Sequence, residues 1–211
     1  LSYVFIHSQQ AVVAESQIMT TVAGGIIEGA GAKELGKKIA ATLQDGAIKR
    51  LEGTLLSAEE KLALQQTAEG KVVRILCKDG KYRNYNLRSY GETVARVATR
   101  QAATEGTLNS AVDYGMDLVQ LSVHSGACEE LCAPVQGKVF SISGKTEGFP
   151  LLTEEVRPPL HPFCAHALLP VSAEFLQARG IYDKVLEFSA SDKSVNSTRE
   201  YQKLIRGKLA A

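Results

Sequence analysis

The sequence is short of nearly every feature that would assign it to a class at once. Four cysteines in 211 residues are too few for a disulfide-built scaffold, so a reducing compartment at synthesis is expected. Charge of one sign is also missing. Lys and Arg number 24 against 23 Asp and Glu, and a net +1 gives no global argument for nucleic acid or membrane as partner. No apolar run approaches the roughly twenty residues that span a bilayer. The start, LSYVFIHSQQ, lacks the basic region of a signal peptide. It also lacks a Met, so Leu1 is expected to be a boundary other than the translated start. Several catalytic signatures are absent. There is no H-x-E with P-C-x-x-C of a zinc deaminase and no H-E-x-x-H of a zincin. GAKELGKK, from Gly31 to Lys38, comes close to a phosphate loop but has Lys38 where a Ser or Thr should hold Mg²⁺. A helix with small residues and an exposed lysine pair is the expectation there. What remains is ordinary for a globular protein: 45% hydrophobic and 22% charged residues, in a chain long enough to bury a sizeable core.

The hydrophobic period changes twice along the chain, at Lys71 and at Asp117, and this predicts an α+β fold. Residues 1–70 are rich in Ala and Gly and read as helices broken by glycines. SAEEKLALQQTAEG is the strongest of them, with Ser57 and Glu60 forming a capping box and Gly70 a stop. KVVRILCKDGKYRNYNL reads as a β-hairpin turning at Asp79-Gly80, with Val73, Ile75 and Cys77 on one face. Residues 88–112 read as a helix whose buried side carries Tyr90, Val94, Val97 and Ala98. DLVQLSVHS, GKVFSIS and HALLPVS are strand-like, so a small, mostly antiparallel sheet is expected from residues 72–87, 117–123, 138–143 and 166–171. A long loop rich in Pro and Gly, GKTEGFPLLTEEVRPPLHPFC, joins the last two strands. Loops of that length are usually functional or pinned. A C-terminal helix, NSTREYQKLIRGK, opens on Ser197 and Glu200, a second capping box. Composition divides the chain into a helical region (1–70), a central domain (71–190) and a polar C-terminal helix (191–211).

Locally the charge is uneven. Lys71, Arg74, Lys78, Lys81, Arg83, Arg88, Arg96 and Arg100 share a stretch with only Asp79 and Glu92. That pattern fits a solvated hairpin and helix face, or a contact with a polyanion such as DNA.

The cysteines and histidines are more unevenly placed still. His124, Cys128 and Cys132 follow one strand, and His161, Cys164 and His166 precede another. Three of the four cysteines and three of the four histidines therefore fall between residues 124 and 166. Zn²⁺ takes four ligands in a tetrahedron from thiolate and imidazole. Cys128, Cys132, His161 and Cys164 supply such a set, with His124 and His166 in reserve. A structural zinc ion there would pin the long loop, while Pro158, Pro159 and Pro162 keep it extended. The gap in CEELC is three residues, where C-x-x-C is commoner and two to four are allowed. The alternatives are unpaired thiols, a disulfide formed after release from the cell, and ordinary strand-end histidines. A Cys–His nucleophile pair is a further reading, although no oxyanion element or third orienting residue stands out.

The stretch from YGETVARVATRQ to GKVFSISGKTEGFP, followed by RPPLHPFCAHALLP, resembles the phage minor capsid (head morphogenesis, Mu F-like) family. The resemblance rests on Arg96 and Arg100 on a helix, on Cys128 and Cys132, and on the segment from Gly137 to Gly144. It rests also on Pro158, Pro159, His161, Pro162, Cys164 and His166. The tail SASDKSVNSTREYQKLIR is similar to the polar end of these proteins, and the match runs from about Val72 to Arg206. CEELC departs from it, since two intervening residues are commoner in the family. The resemblance implies a virion protein made in the bacterial cytoplasm and held in few copies inside the capsid at the portal vertex. It would assist assembly and DNA packaging or delivery, and touch the portal protein, other copies of itself and packaged DNA. It implies no membrane partner and no enzyme activity. Some members carry a C-terminal toxin or enzyme, and with the sequence ending at Ala211 none is expected here. The competing readings are a phage-delivered enzyme using Cys128 or Cys132 as nucleophile, and a DNA-binding module built on the basic hairpin.

Overall fold

The computed structural model describes residues 15–53, 57–76 and 81–206. The fold is α+β. Helices α1 (Glu15–Ile27), α2 (Ala32–Gly53) and α3 (Ala58–Ala68) lead into strands β1 (Val72–Leu76) and β2 (Tyr82–Asn86). The long helix α4 (Leu87–Asp113) follows, then strands β3 (Leu118–Leu121), β4 (Val139–Ser141) and β5 (Leu168–Val171). Helices α5 (Ala173–Ala178), α6 (Tyr182–Ala190) and α7 (Thr198–Arg206) come last. The chain forms two compact units that divide between Thr99 and Arg100, within α4.

In the first unit, apolar residues at helical spacing build one core. Ile18 and Val22 of α1 meet Leu35, Ile39 and Leu43 of α2, together with Val73 and with Tyr90, Val94 and Ala98 of α4. The predicted buried side of α4 is realised, because Val97 is buried as well. GAKELGKK forms the start of α2, with Lys38 on its exposed side paired to Glu28 at 2.7 Å. Ser57 and Glu60 close the expected capping box at the head of α3. β1 and β2 pair antiparallel, from Val72 opposite Asn86 to Leu76 opposite Tyr82. Cys77, Lys78 and the Asp79-Gly80 turn lie outside the described residues, as does the side chain of Ile75.

Two glycines let α2 and α4 touch backbone to backbone. A Cβ on Gly36 would stand 2.7 Å from the Cα of Glu92, and one on Gly91 would strike the carbonyl oxygen of Gly36. In an open helix interior, Gly→Ala gains up to about 1 kcal/mol. Here the obstacle is backbone and cannot swing aside. Gly91→Ala is therefore expected to lose about 1–3 kcal/mol, as overpacked sites do. A lower urea midpoint would show it, and a higher one would contradict the crossing.

The four strand segments form two sheets. β1 and β2 are a hairpin of the first unit, while β4–β3–β5 is a three-stranded antiparallel sheet of the second. The 27 residues of α4 separate them in sequence. Period-two alternation decides what each face of the second sheet covers. Val119, Leu121, Phe140 and Leu168 meet Leu108, Leu152, Leu160, Cys132 and Cys164 on one side. Leu118 and Val139 meet Phe149, Leu176, Val185 and Ile205 on the other. β3 is central, which agrees with Pro170 standing on the edge strand β5, where a missing N–H is tolerated. At α7, Ser197 Oγ accepts from Glu200 N at 3.2 Å, but the Glu200 carboxylate reaches back to Asn196 N rather than to Ser197. The second capping box is thus half formed, shifted by one residue.

Candidate metal centre

Local hydrogen bonding accounts for the unusual gap in CEELC. After β3 the chain turns at Gly126, whose φ of +81° is one that L side chains rarely adopt. The Cys128 carbonyl then accepts from Cys132 N at 3.2 Å and Ala133 N at 2.9 Å. That is a helical turn, and it puts residues four apart on one side, so three intervening residues are what this backbone requires. The turn repeats, because Cys132 O accepts from Gln136 N at 2.9 Å. Gln136 thereby joins the Cys128–Cys132 stripe before Gly137 N returns to Leu121 O at 2.8 Å. The second segment arrives beside β3. Ser122 N donates to Ala167 O at 2.9 Å and Ala167 N to Ser122 Oγ at 3.0 Å, which sets Cys164 and His166 against the turn.

Two overlapping groups of donors result. Cys128, Cys132 and His161 have ligand atoms all within 4.8 Å of one another, and so do Cys132, Cys164 and His166. Cys132 belongs to both. Of the four ligands expected from sequence, the structure brings Cys128, Cys132 and His161 into one group and Cys164 into the other. Cys132 is fully buried, Cys164 3% exposed and His166 2% exposed. The three sulfurs are free thiols.

The electrostatics suit a cation. Burial, followed by the neighbouring Cys128 and Cys164, pushes the Cys132 thiol up to about 12. Cys132 therefore resists ionisation unless a positive charge joins it. Cys128 differs. Burial opposes its thiolate, but N–H groups of Leu131 and Cys132 and the Cys132 thiol point at its sulfur and lower its pKa. Backbone N–H groups aimed at a sulfur are the support a metal-bound thiolate needs. Burial, then His124 and His161, hold His166 down to about 4, so the ring is neutral as a ligand must be. These Cys/His groups can hold a metal ion, and sulfur with imidazole nitrogen is the donor set that zinc prefers.

His124 has another part. It lies outside both donor groups, and its ring packs on that of His166 with centroids 4.1 Å apart. Its Nδ1 donates to Ser125 O at 3.0 Å, while its buried Nε2 has no hydrogen-bond partner among the described residues. Sequence reasoning missed Gln136, which is fully buried. Its Oε1 accepts from His124 N and faces His166 Nε2, each at 3.2 Å, and its Nε2 donates to Val195 O at 2.5 Å. The only signal was a polar residue just before a strand, between Val135 and Gly137.

The basic residues share their charge more than the sequence suggested. Acids from outside the stretch reach two of them, since Glu59 meets Arg74 at 2.5 Å and Glu69 meets Lys71 at 2.7 Å. Arg88 pairs with Glu92 at 3.5 Å, and Arg100 donates to Ala165 O at 3.2 Å. Lys81, Arg83 and Arg96 are exposed.

The long loop is held by more than its prolines. Ser141 N donates to Pro150 O and Leu152 N to Ser141 O, each at 2.8 Å. Phe149, Leu152 and Leu160 are buried. Arg157 binds Glu105 of α4 and Glu154, both at 3.0 Å.

The sequence model of a family described as phage minor capsid protein 2 matches residues 42–201. The chain belongs to this family. It is a phage minor capsid protein, and the match takes in both the turn bearing Cys128 and Cys132 and the segment bearing His161, Cys164 and His166. It also begins well before Val72, so the family extends into α2. No curated protein and no solved structure matches the chain. No helix among the described residues is long and apolar enough to cross a membrane.

Proposed function

We propose that this minor capsid protein is a structural component of the virion. It would sit inside the head at the portal vertex in few copies and assist assembly and DNA packaging or delivery. The family match over residues 42–201 carries this reading. Its partners are then the portal protein, further copies of itself and packaged DNA. Protease treatment of purified heads is the test. The protein should be far scarcer than the major shell subunit, resist protease in intact heads and be digested once the heads are opened. Absence from heads, or digestion from outside, would contradict the placement.

The ion in the cluster is zinc in this reading, held by the thiolates of Cys128, Cys132 and Cys164 with one imidazole. It ties the turn after β3 to the segment before β5. Four such ligands fill a zinc shell and leave no position for a reacting water, which argues for a staple and against an enzyme. One observation favours a second reading: a ring nitrogen of His161 lies within 4.8 Å of Cys128 Sγ, as in a thiol–imidazole pair. Alkylation separates the two. A catalytic thiolate reacts readily near neutral pH, while zinc-bound thiols resist until chelator is added.

Lys81, Arg83, Arg88 and Arg96 are exposed residues of the basic stretch, and DNA is the polyanion they would meet. In a log-log salt titration of DNA binding, each neutralised phosphate contributes about −0.9 to the slope. A slope of about −2 to −4 is expected from four residues partly paired with acids, and a slope near zero would remove DNA as their partner.

A further inference from the structure

We propose that the imidazole completing the metal shell is that of His166, bound through Nδ1, and that Gln136 is the residue that presents it. The inference rests on the reading of the cluster as a zinc site and specifies its fourth ligand.

The Gln136 amide can be oriented in only one way. A backbone carbonyl accepts hydrogen bonds and never donates them, so the Gln136 atom 2.5 Å from Val195 O is the NH₂ group. A backbone N–H only donates, so the Gln136 atom 3.2 Å from His124 N is the oxygen. Both contacts agree. The same oxygen stands 3.2 Å from His166 Nε2. An amide oxygen facing a ring nitrogen demands a proton on that nitrogen. Nε2 of a neutral His166 is therefore N–H, and Nδ1 keeps its lone pair. That lone pair lies 3.6 Å from Cys164 Sγ, and a ring nitrogen of the same histidine lies within 4.8 Å of Cys132 Sγ. The ring is 2% exposed and packed on His124, so it has little freedom to turn away. A metal-bound histidine with its other N–H held by an oxygen acceptor is the usual arrangement at protein metal sites.

His161 lacks these supports. It is only partly buried, and its ring has no hydrogen-bond partner among the described residues. The oxygen acceptor in this cluster, Gln136 Oε1, faces His166 and not His161. His161 then sits at the solvent side of the sulfurs, close to Cys128 and Cys132, without being required by the shell.

Gln136 also explains how the site is joined to the rest of the second unit. Its amide group bonds to Val195, just before α7, and to the His124 backbone. One side chain thus couples the ligand to two other segments of the chain.

Two measurements on the full chain test the inference. The first needs no variant. Long-range ¹H–¹⁵N correlation on zinc-loaded, ¹⁵N-histidine-labelled protein reads the state of each ring nitrogen. A metal-bound Nδ1 and a protonated Nε2 are expected for His166, and a protonated Nδ1 would overturn the proposal. The second is zinc affinity by chelator competition. His166→Ala should weaken zinc by at least about 100-fold and Gln136→Leu by about 10–100-fold, with His161→Ala changing it only a few-fold. If instead His161→Ala abolishes binding and His166→Ala does not, His161 is the ligand and the proposal fails while the zinc reading stands. If the unaltered protein binds no zinc in the competition, the zinc reading itself fails, and this inference with it.

Discussion

Replacing Cys132 with serine is expected to remove the metal and to destabilise the second unit more than any other single change in the cluster. Cys132 alone belongs to both donor groups. It is fully buried and lies in the apolar cluster with Leu121, Phe140 and Leu168. Metal binding in isolated zinc modules contributes about 10–16 kcal/mol of folding free energy. Less is at stake where a core already exists, so a loss of about 3–5 kcal/mol is expected with zinc present. Without zinc, the variant merely buries a hydroxyl in place of a thiol, which costs about 1–3 kcal/mol. Urea denaturation with and without chelator reads both quantities. The difference between the two conditions is the metal's share, and equal losses in both would remove it. Limited proteolysis of the same variant should report where the order is lost. The buried Phe149 and Leu152 hold the first half of the long loop without a metal. New cuts are therefore expected between Thr153 and Cys164 and not at Gly144–Pro150.

Asp117→Ala is expected to cost about 3 kcal/mol, for a reason unrelated to the metal. Its carboxylate, just ahead of β3, organises the loop that follows β4. Oδ2 accepts from Ser141 Oγ and Thr146 Oγ1 at 2.6 Å each, and from Thr146 N at 3.1 Å. Oδ1 accepts from Ser143 Oγ at 2.6 Å and Ser143 N at 2.9 Å. Partial burial opposes the charge, but the hydrogen bonds from Ser141, Ser143 and Thr146 outweigh it. They hold the carboxyl well below the usual carboxylate range. A pKa lowered on folding fixes the sign. The contribution is complete above the unfolded value of about 3.9 and drains away as the pH falls below it. The advantage of the unaltered protein over Asp117→Asn should thus be constant from neutral pH to about 5 and shrink below about 4. An advantage that grew on acidification would contradict the assignment.

Much of the fold could be read from local pattern. The capping box at Ser57, the buried stripe of α4 and the positions of β3, β4 and β5 are encoded within a few residues of where they act. The hairpin strands were legible for the same reason. Other features depend on partners far away in sequence and carry no local mark. Nothing near Gly91 announces that Gly36 will cross it. Nothing near Asp117 tells of Ser141, Ser143 and Thr146. The four strand segments could be found individually, but not that they would sort into two sheets, because pairing is chosen in three dimensions. The same holds at the cluster. Its cysteines and histidines stood out because such residues are scarce in this chain. The gap in CEELC was legible only as an irregularity, and the helical turn from Cys128 to Gln136 gives it a cause. The role of Gln136 depends on Val195, 59 residues further on, and a lone glutamine before a strand does not foretell it. The charge imbalance in residues 71–100 was real as counted. Glu59 and Glu69 lie just outside that window, and the fold folds them back onto it.

Whether the cluster is a metal site is tested most directly by metal content. Protein made in a reducing cytoplasm and purified without chelator should contain about one zinc per chain by elemental analysis. Dialysis against a strong chelator should remove the zinc, lower stability and make the partly exposed Cys128 thiol reactive toward alkylation. Well under one zinc per chain, with the Cys128 thiol already reactive in the untreated protein, would contradict the staple. The cluster would then stand as a packing of free thiols and imidazoles.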